Sequence, residues 1–176
     1  KRGIPITLSV LYMEVCRRVG LGVQGVGFPG HFLVKTVCDG EEIFVDPFHN
    51  GSILSSSDLQ GLLDKMYGGR LEVQPEYLAA VSSRHIVQRM LNNIKLIYSN
   101  RQDVKRCLGV VEQLVVLNPD EPEQIRDRGL LRLRLEDGVG ARIDFERYLE
   151  LAPNSDDAAT VREQIEKIRK NARVLL

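Results

Sequence analysis

His31 and Asp46 are the residues of this sequence best placed to do chemistry together. Gly30-His31-Phe32-Leu33-Val34 reads as one strand and Ile43-Phe44-Val45-Asp46-Pro47 as the next, joined through Asp39-Gly40. Asp-Gly between alternating apolar runs is a hairpin signal, because both central turn residues must tolerate positive φ. With that dipeptide at the turn centre, Leu33 faces Asp46 and His31 lies diagonally beside it. Diagonal neighbours sit about 7–8 Å apart, within reach of an imidazole and a carboxylate. A carboxylate that fixes the tautomer of a histidine is half of a nucleophile-histidine-carboxylate triad, with the imidazole as general base. The same register gathers Phe32, Val34, Ile43 and Val45 on the opposite face. The expectation is one packed face and one face carrying the pair.

A helix and a glycine-rich loop must position this hairpin. Gly3-Ile4-Pro5 opens the helix, since proline lacks only an N–H that would go unpaired at the first helical position, and Gly20 closes it. Leu8, Leu11, Tyr12, Val15 and Val19 recur at three- and four-residue spacing and are expected to form its buried stripe, with Glu14, Arg17 and Arg18 outward. Gly25, Gly27 and Gly30 match the letters of a dinucleotide fingerprint. They contain Pro29 and lead into a strand rather than a helix, so no helix N-terminus is available to cradle phosphate. Their expected role is to shape the loop in front of His31. No cofactor is expected.

Three segments in order carry a resemblance: Arg2-Gly3-Ile4-Pro5-Ile6-Thr7-Leu8-Ser9, then Val26-Gly27-Phe28-Pro29-Gly30-His31-Phe32-Leu33-Val34, then Phe44-Val45-Asp46-Pro47-Phe48. They resemble the transglutaminase-like module of a bacterial family in which tetratricopeptide repeats follow. Some members of that family are linked by name to regulation of invasion genes, and a related module occurs in F-box proteins. The resemblance implies an α+β fold of transglutaminase or papain type, a core helix on a small antiparallel sheet. It also implies a cysteine nucleophile at the start of the core helix, with histidine and aspartate on successive strands. His31 and Asp46 match the last two places. The nucleophile's place falls near Pro5, which has no nucleophilic group.

No cysteine substitutes. Cys16 lies roughly 16 Å along the helix from Pro5 at about 1.5 Å per residue. Cys38 lies roughly 23 Å along the strand from His31, on the opposite face. Cys107 belongs to the second half of the chain. Thr7 and Ser9 are the nearby hydroxyls, placed where a helix N-terminus favours an anion; each also has an ordinary structural use, in local backbone bonding or close packing. A metal site built from His31, Asp46 and His49 is not expected, because Pro47 ends the strand and strand parity sends His49 to the other side. His85 reads as a helix residue.

The chain has 176 residues with 24 basic and 24 acidic side chains. Zero net charge supplies no global field for nucleic acid or an anionic membrane. No apolar run approaches the roughly 20 residues of a membrane span and nothing at the start resembles a signal peptide. Three irregularly spaced cysteines, Cys16, Cys38 and Cys107, suggest neither disulfides nor zinc and are expected to be reduced. These features suggest a cytoplasmic location. The sequence opens at Lys1 in the middle of a motif, so a preceding segment is expected.

Asn50-Gly51-Ser52 reads as a turn. Ser56 or Ser57 then caps a short helix with Leu59, Leu62, Leu63 and Met66 on one face, which Gly68-Gly69 stops; Gln74-Pro75-Glu76 begins another short helical piece. Beyond residue 80 the chain aligns on itself at a period of 34, the tetratricopeptide spacing. Leu91 pairs with Ile125, Cys107 with Ala141, Val111 with Phe145, Leu114 with Tyr148, and Pro119 with Pro153. Tyr98 and Gly129 fall at further positions of that repeat. Two helical hairpins, near 84–117 and 122–151, precede a capping helix from about Asp156 to Arg173 with Val161, Ile165 and Ile168 on one side.

The expected organisation is a transglutaminase-like core over residues 1–80 and all-α tetratricopeptide hairpins over 81–176. The function expected is protein binding or regulation by a catalytically impaired fold. A protein or peptide would be bound through the repeat surface or the His31 cleft. Arg89, Asn92, Asn93, Arg126 and Arg134 are the expected partner-binding residues. Arg126, Arg128, Arg132 and Arg134 form a basic run suited to an acidic partner, interspersed with Asp127, Glu136 and Asp137. The positions that carry lysine and asparagine in carboxylate-clamp repeats hold Arg89, Asn92, Leu96, Glu123, Arg126 and Asp127 here, a departure from that pattern. The alternative is acyl transfer or amide hydrolysis with Thr7 or Ser9 as nucleophile, His31 as base and Asp46 as orienter.

Overall fold

The computed structural model describes residues 3–174. Arg2, the first residue of the N-terminal motif, lies outside the described residues. The chain divides into two compact units, residues 1–90 and 91–176. The division falls within a helix rather than at the 80/81 boundary that the sequence pattern suggests. Its reason is packing: Ile86 and Met90 belong to the same apolar cluster as Ile6 and Phe32.

The first unit is a four-stranded antiparallel meander with two whole helices and the first turns of a third. Helix α1 (Pro5–Arg18) is followed by β1 (Gln24–Val26), β2 (Leu33–Cys38), β3 (Glu41–Asp46), β4 (Ser52–Leu54) and α2 (Ser56–Tyr67). Asp39 and Gly40 both have positive φ, 52° and 85°, as a two-residue hairpin turn with matching strand twist requires. The register is the one expected, with Val34 opposite Val45 and Thr36 opposite Ile43. Strand β2 nevertheless begins at Leu33, so His31 stands in the bend before it.

Both faces of this sheet pack, which corrects the expectation of one apolar and one polar face. Leu33 and Phe44 join Val26, Phe28, Leu59 and Leu63 in one cluster against α2. Phe32 joins Ile6 and Ile86 in another, with Val10 and Met13 against it. His31 and Asp46 are themselves buried.

Helix α1 also turns a different face inward. Ile6, Ser9 and Cys16 are buried, whereas Leu11, Val15 and Val19 are 60%, 53% and 68% exposed. The small Ser9 side chain lets the helix approach β2 closely, and its hydroxyl donates to the Phe32 carbonyl at 3.2 Å. Ile6, Val10 and Met13 pack on the same side, against Phe32 and Ile86, whereas the expected stripe lay on the other. In α2 the N-cap is Ser55, one residue before the expected serines, because its hydroxyl and Asp58 form a reciprocal capping pair.

In the second unit, the last turns of α3 (Ser83–Asn100) are followed by α4 (Val104–Leu117), α5 (Pro122–Arg134), α6 (Gly138–Leu151) and α7 (Ala158–Val174). Asp103 caps α4 and Asp137 caps α6. The period of 34 survives in three dimensions: Cys107, Val111, Ile125, Ala141, Phe145 and Tyr148 share one core with Val161 and Ile165. Gly129 lies where α5 meets α6, and a Cβ there would sit 2.7 Å from the Phe145 ring. Asp144, 1% exposed, is held by Arg128 through both carboxylate oxygens and by Arg132 at 2.9 Å.

Candidate functional site

The site is built where the bend before β2 meets the end of β3. The amide of His31 donates to the Phe28 carbonyl at 3.0 Å, closing a turn. Gly30 makes that turn with φ +69°, and a Cβ on it would meet the Met66 sulfur at 2.2 Å. From the other side, Arg89 on α3 donates to the His31 carbonyl at 2.6 Å and to the Phe28 carbonyl at 3.4 Å, with its guanidinium 5.5 Å from the centre of the Phe32 ring. Burial pulls the Arg89 pKa below its ordinary value. The backbone of the histidine is thus clamped on both sides.

His31 Nε2 lies 2.7 Å from Asp46 Oδ2, with the two side chains 4% and 1% exposed. The pairing expected from the sequence is therefore formed. Nδ1 of His31 has no hydrogen-bond partner among the described residues. Asp46 is heavily engaged: Oδ1 accepts from the backbone N–H groups of Phe48 and His49 at 2.9 and 3.2 Å. Burial alone would raise its pKa, but hydrogen bonds from His49 and His31 and the nearby His31 charge outweigh burial and hold it below the usual carboxylate value.

His49 is on the same side as this pair, a correction to the parity argument. Its Nδ1 lies 2.7 Å from Asp46 Oδ2, and its ring centre is 5.7 Å from that of His31. The reason is local. Pro47–His49 is a 3₁₀ turn that Asp46 caps, so the strand alternation stops at Pro47 and the turn curls His49 back over the carboxylate. The Asp-Pro-Phe-His spacing carried this signal, since Asp followed by Pro marks a turn start. A cleft of about 370 Å³ opens on Asp46 and His49, walled by Ser52, Ser57, Asp58 and Lys65. His31 is not among the residues that line it.

The two candidate nucleophiles are occupied elsewhere. The Thr7 hydroxyl accepts from the Ile4 amide at 3.0 Å and donates to the Ile4 carbonyl at 2.9 Å, serving as the cap of α1. Ser9 donates to Phe32. Neither bonds to His31. Cys16 and Cys107 are buried and Cys38 is exposed, all as free thiols.

The expected partner-binding residues divide by environment. Arg89 is half-buried in the clamp just described. Asn92 and Arg134 are exposed and Asn93 is half-buried. Arg126 pairs with Asp157 at 2.8 Å and lies over the Tyr148 ring, and Asp127 is also bridged by Lys95. With Arg128 and Arg132 on Asp144, Arg134 is the member of the basic run without a carboxylate partner among the described residues.

Among the described residues no helix is long and apolar enough to cross a membrane. Residues 1–92 match the family model described as transglutaminase-like superfamily, and residues 94–166 match a tetratricopeptide repeat model. A UPF0162 protein of Xylella fastidiosa strain 9a5c is 36% identical over 163 residues, covering 91% of this chain and 58% of the relative. One from Vibrio cholerae is 28% identical over 177 residues, covering 100% of this chain and 65% of the relative. The chain thus spans about 58–65% of the length of these two relatives. Among solved structures, the first tetratricopeptide domain of Spaghetti bound to an HSP90 peptide is similar, at 24% identity and a TM-score of 0.42, covering 49% of this chain and 66% of that one. With the His-Asp pair beside its core helix and a period of 34 in its second unit, the chain belongs to the transglutaminase-like superfamily and carries a tetratricopeptide repeat region behind that module.

Proposed function

We propose that this chain is a protein- or peptide-binding regulator in which a transglutaminase-like fold is kept without its nucleophile. The observation that supports this most directly is the fate of the hydroxyls. Thr7 caps α1 and Ser9 is spent on the Phe32 carbonyl, while His31 Nε2 and Asp46 Oδ2 remain 2.7 Å apart. A base and its orienter without a nucleophile cannot form an acyl-enzyme. The tetratricopeptide region supplies helical hairpins of the kind that present extended binding surfaces.

The test pairs turnover with capture. The full chain is assayed for acyl transfer from a glutamine peptide to an amine and for release of ammonia. Expected is no turnover above buffer, and no difference between the wild type and His31→Ala. Turnover that is lost in His31→Ala and in Ser9→Ala or Thr7→Val, with folding intact, overturns the reading and makes the chain an enzyme. In parallel, charge reversal at Arg126 and Arg134 is expected to lower recovery of a captured acidic partner; unchanged recovery removes that surface from the proposal.

A further inference from the structure

We propose that His31, Asp46 and His49 form a binding site for a divalent transition-metal ion of the zinc type. Each of the three residues offers a ligand atom within 4.8 Å of those of the other two, and His31 Nε2 and His49 Nδ1 each lie 2.7 Å from Asp46 Oδ2. Two imidazoles and a carboxylate are a ligand set that suits zinc and non-haem iron and leaves coordination positions open. The inference does not depend on whether the module is catalytic or purely a binder, since it rests on these three side chains alone.

The carboxylate is already oriented for this use. Its Oδ1 is held by the Phe48 and His49 amides at 2.9 and 3.2 Å, which leaves Oδ2 as the oxygen directed at both rings. Such outer support is what fixes a metal-binding carboxylate. Access is one-sided. His31 and Asp46 are buried, the His49 side chain is 59% exposed, and the cleft of about 370 Å³ reaches Asp46 and His49. That cleft is the side from which an ion reaches Asp46 and His49, and its remaining positions face the solvent there.

The geometry needs a small adjustment. Zinc bonds of about 2.0–2.1 Å place tetrahedral ligands roughly 3.3 Å apart, so each 2.7 Å contact to Oδ2 opens by roughly 0.6 Å on binding. His49, exposed and on a three-residue turn, is the ligand with room to move. Without the ion, each ring nitrogen facing Asp46 donates its proton to the carboxylate. With it, that nitrogen gives its lone pair to the ion and the ring proton resides on the other nitrogen, Nδ1 of His31 and Nε2 of His49. A ring with a single N–H keeps that proton on its other nitrogen, and two coordinate bonds replace two hydrogen bonds. Coordination therefore takes Nε2 of His31 away from its hydrogen bond to Asp46, so the ion-bound chain and the His-Asp pair are alternative states of one histidine.

Tag-free, chelator-treated full chain is titrated calorimetrically with zinc chloride, and with cobalt(II), whose visible absorption reports tetrahedral ligation. Expected are one ion per chain, a tetrahedral cobalt band, and affinity lowered at least roughly tenfold in His49→Ala, because losing even an outer-shell partner costs about 10–100-fold. Asp46→Asn is expected to weaken binding at least as much. His49→Ala is decisive, since the exposed ring can be removed with the His31 to Asp46 contact in place, and circular dichroism verifies the fold. His85→Ala, at the exposed start of α3, is the control and keeps wild-type affinity. Absence of binding in the micromolar range overturns the proposal. So does binding that survives His49→Ala unchanged or falls in His85→Ala.

Discussion

Ser9 on α1 donates its hydroxyl to the carbonyl of Phe32, 3.2 Å away on the residue next to His31, and is fully buried. This single bond ties the helix to the start of β2 and engages one of the two hydroxyls near the expected nucleophile position. Ser9→Ala is expected to cost about 1 kcal/mol, the worth of one hydrogen bond and of a buried carbonyl left without its donor. Amide exchange in α1 and β2 is the measurement, because it reports the first unit by itself; unchanged protection would show that the bond contributes nothing.

Asp46 makes the stability of the first unit pH-dependent in one direction. Its folded pKa lies below the ordinary value of 3.8, so the folded state binds the proton less readily than the unfolded chain. The stabilisation is complete above that value and is lost as pH falls through the folded pKa. Unfolding followed between about pH 2 and 6 is expected to show a steep acid loss that Asp46→Asn flattens. A variant with the same slope as the wild type would assign the acid sensitivity to other carboxylates.

Arg89 joins the bend before β2 to α3 by donating to the Phe28 and His31 carbonyls. Arg89→Ala removes a charged donor from two carbonyls and is expected to destabilise the first unit by about 1.5–3 kcal/mol. Arg89→Lys is expected to recover only part of that, since an ammonium lacks the planar fork that spans two acceptors. Amide exchange at His31 to Val34 distinguishes the two variants, and equal protection in both would place the effect on charge alone.

Gly129 leaves no room for a side chain: a Cβ would lie 2.7 and 2.8 Å from two Phe145 ring carbons and 3.2 Å from the Asp144 Cβ. Phe145 is fully buried and Asp144 is pinned by two arginines, so neither yields easily. Gly129→Ala gains helix propensity of roughly 1 kcal/mol but is expected to lose about 1–3 kcal/mol to overpacking. Weaker protection of the α5 and α6 amides in hydrogen exchange under increasing urea is the expected outcome; stronger protection would show that α5 and α6 can separate to admit a methyl group.

Local patterns made much of this protein legible from its residues alone. Asp39-Gly40 set the hairpin and its register because only a few dipeptides accept two positive φ values. A period of 34 revealed the helical hairpins because each repeat must bury the same positions against its neighbours. His31 and Asp46 followed from that register as diagonal partners. Tertiary structure decided what depended on contacts distant in sequence. It buried the Ile6, Ser9 and Cys16 face of α1, where Val10 and Met13 also pack toward Phe32 and Ser9 donates to the Phe32 carbonyl, rather than the Leu11, Val15 and Val19 stripe, because Phe32 and Ile86 are partners distant in sequence. It brought Arg89 to the His31 carbonyl across 58 residues of chain. It also returned His49 to Asp46, because a capped 3₁₀ turn abolishes strand parity where the strand ends.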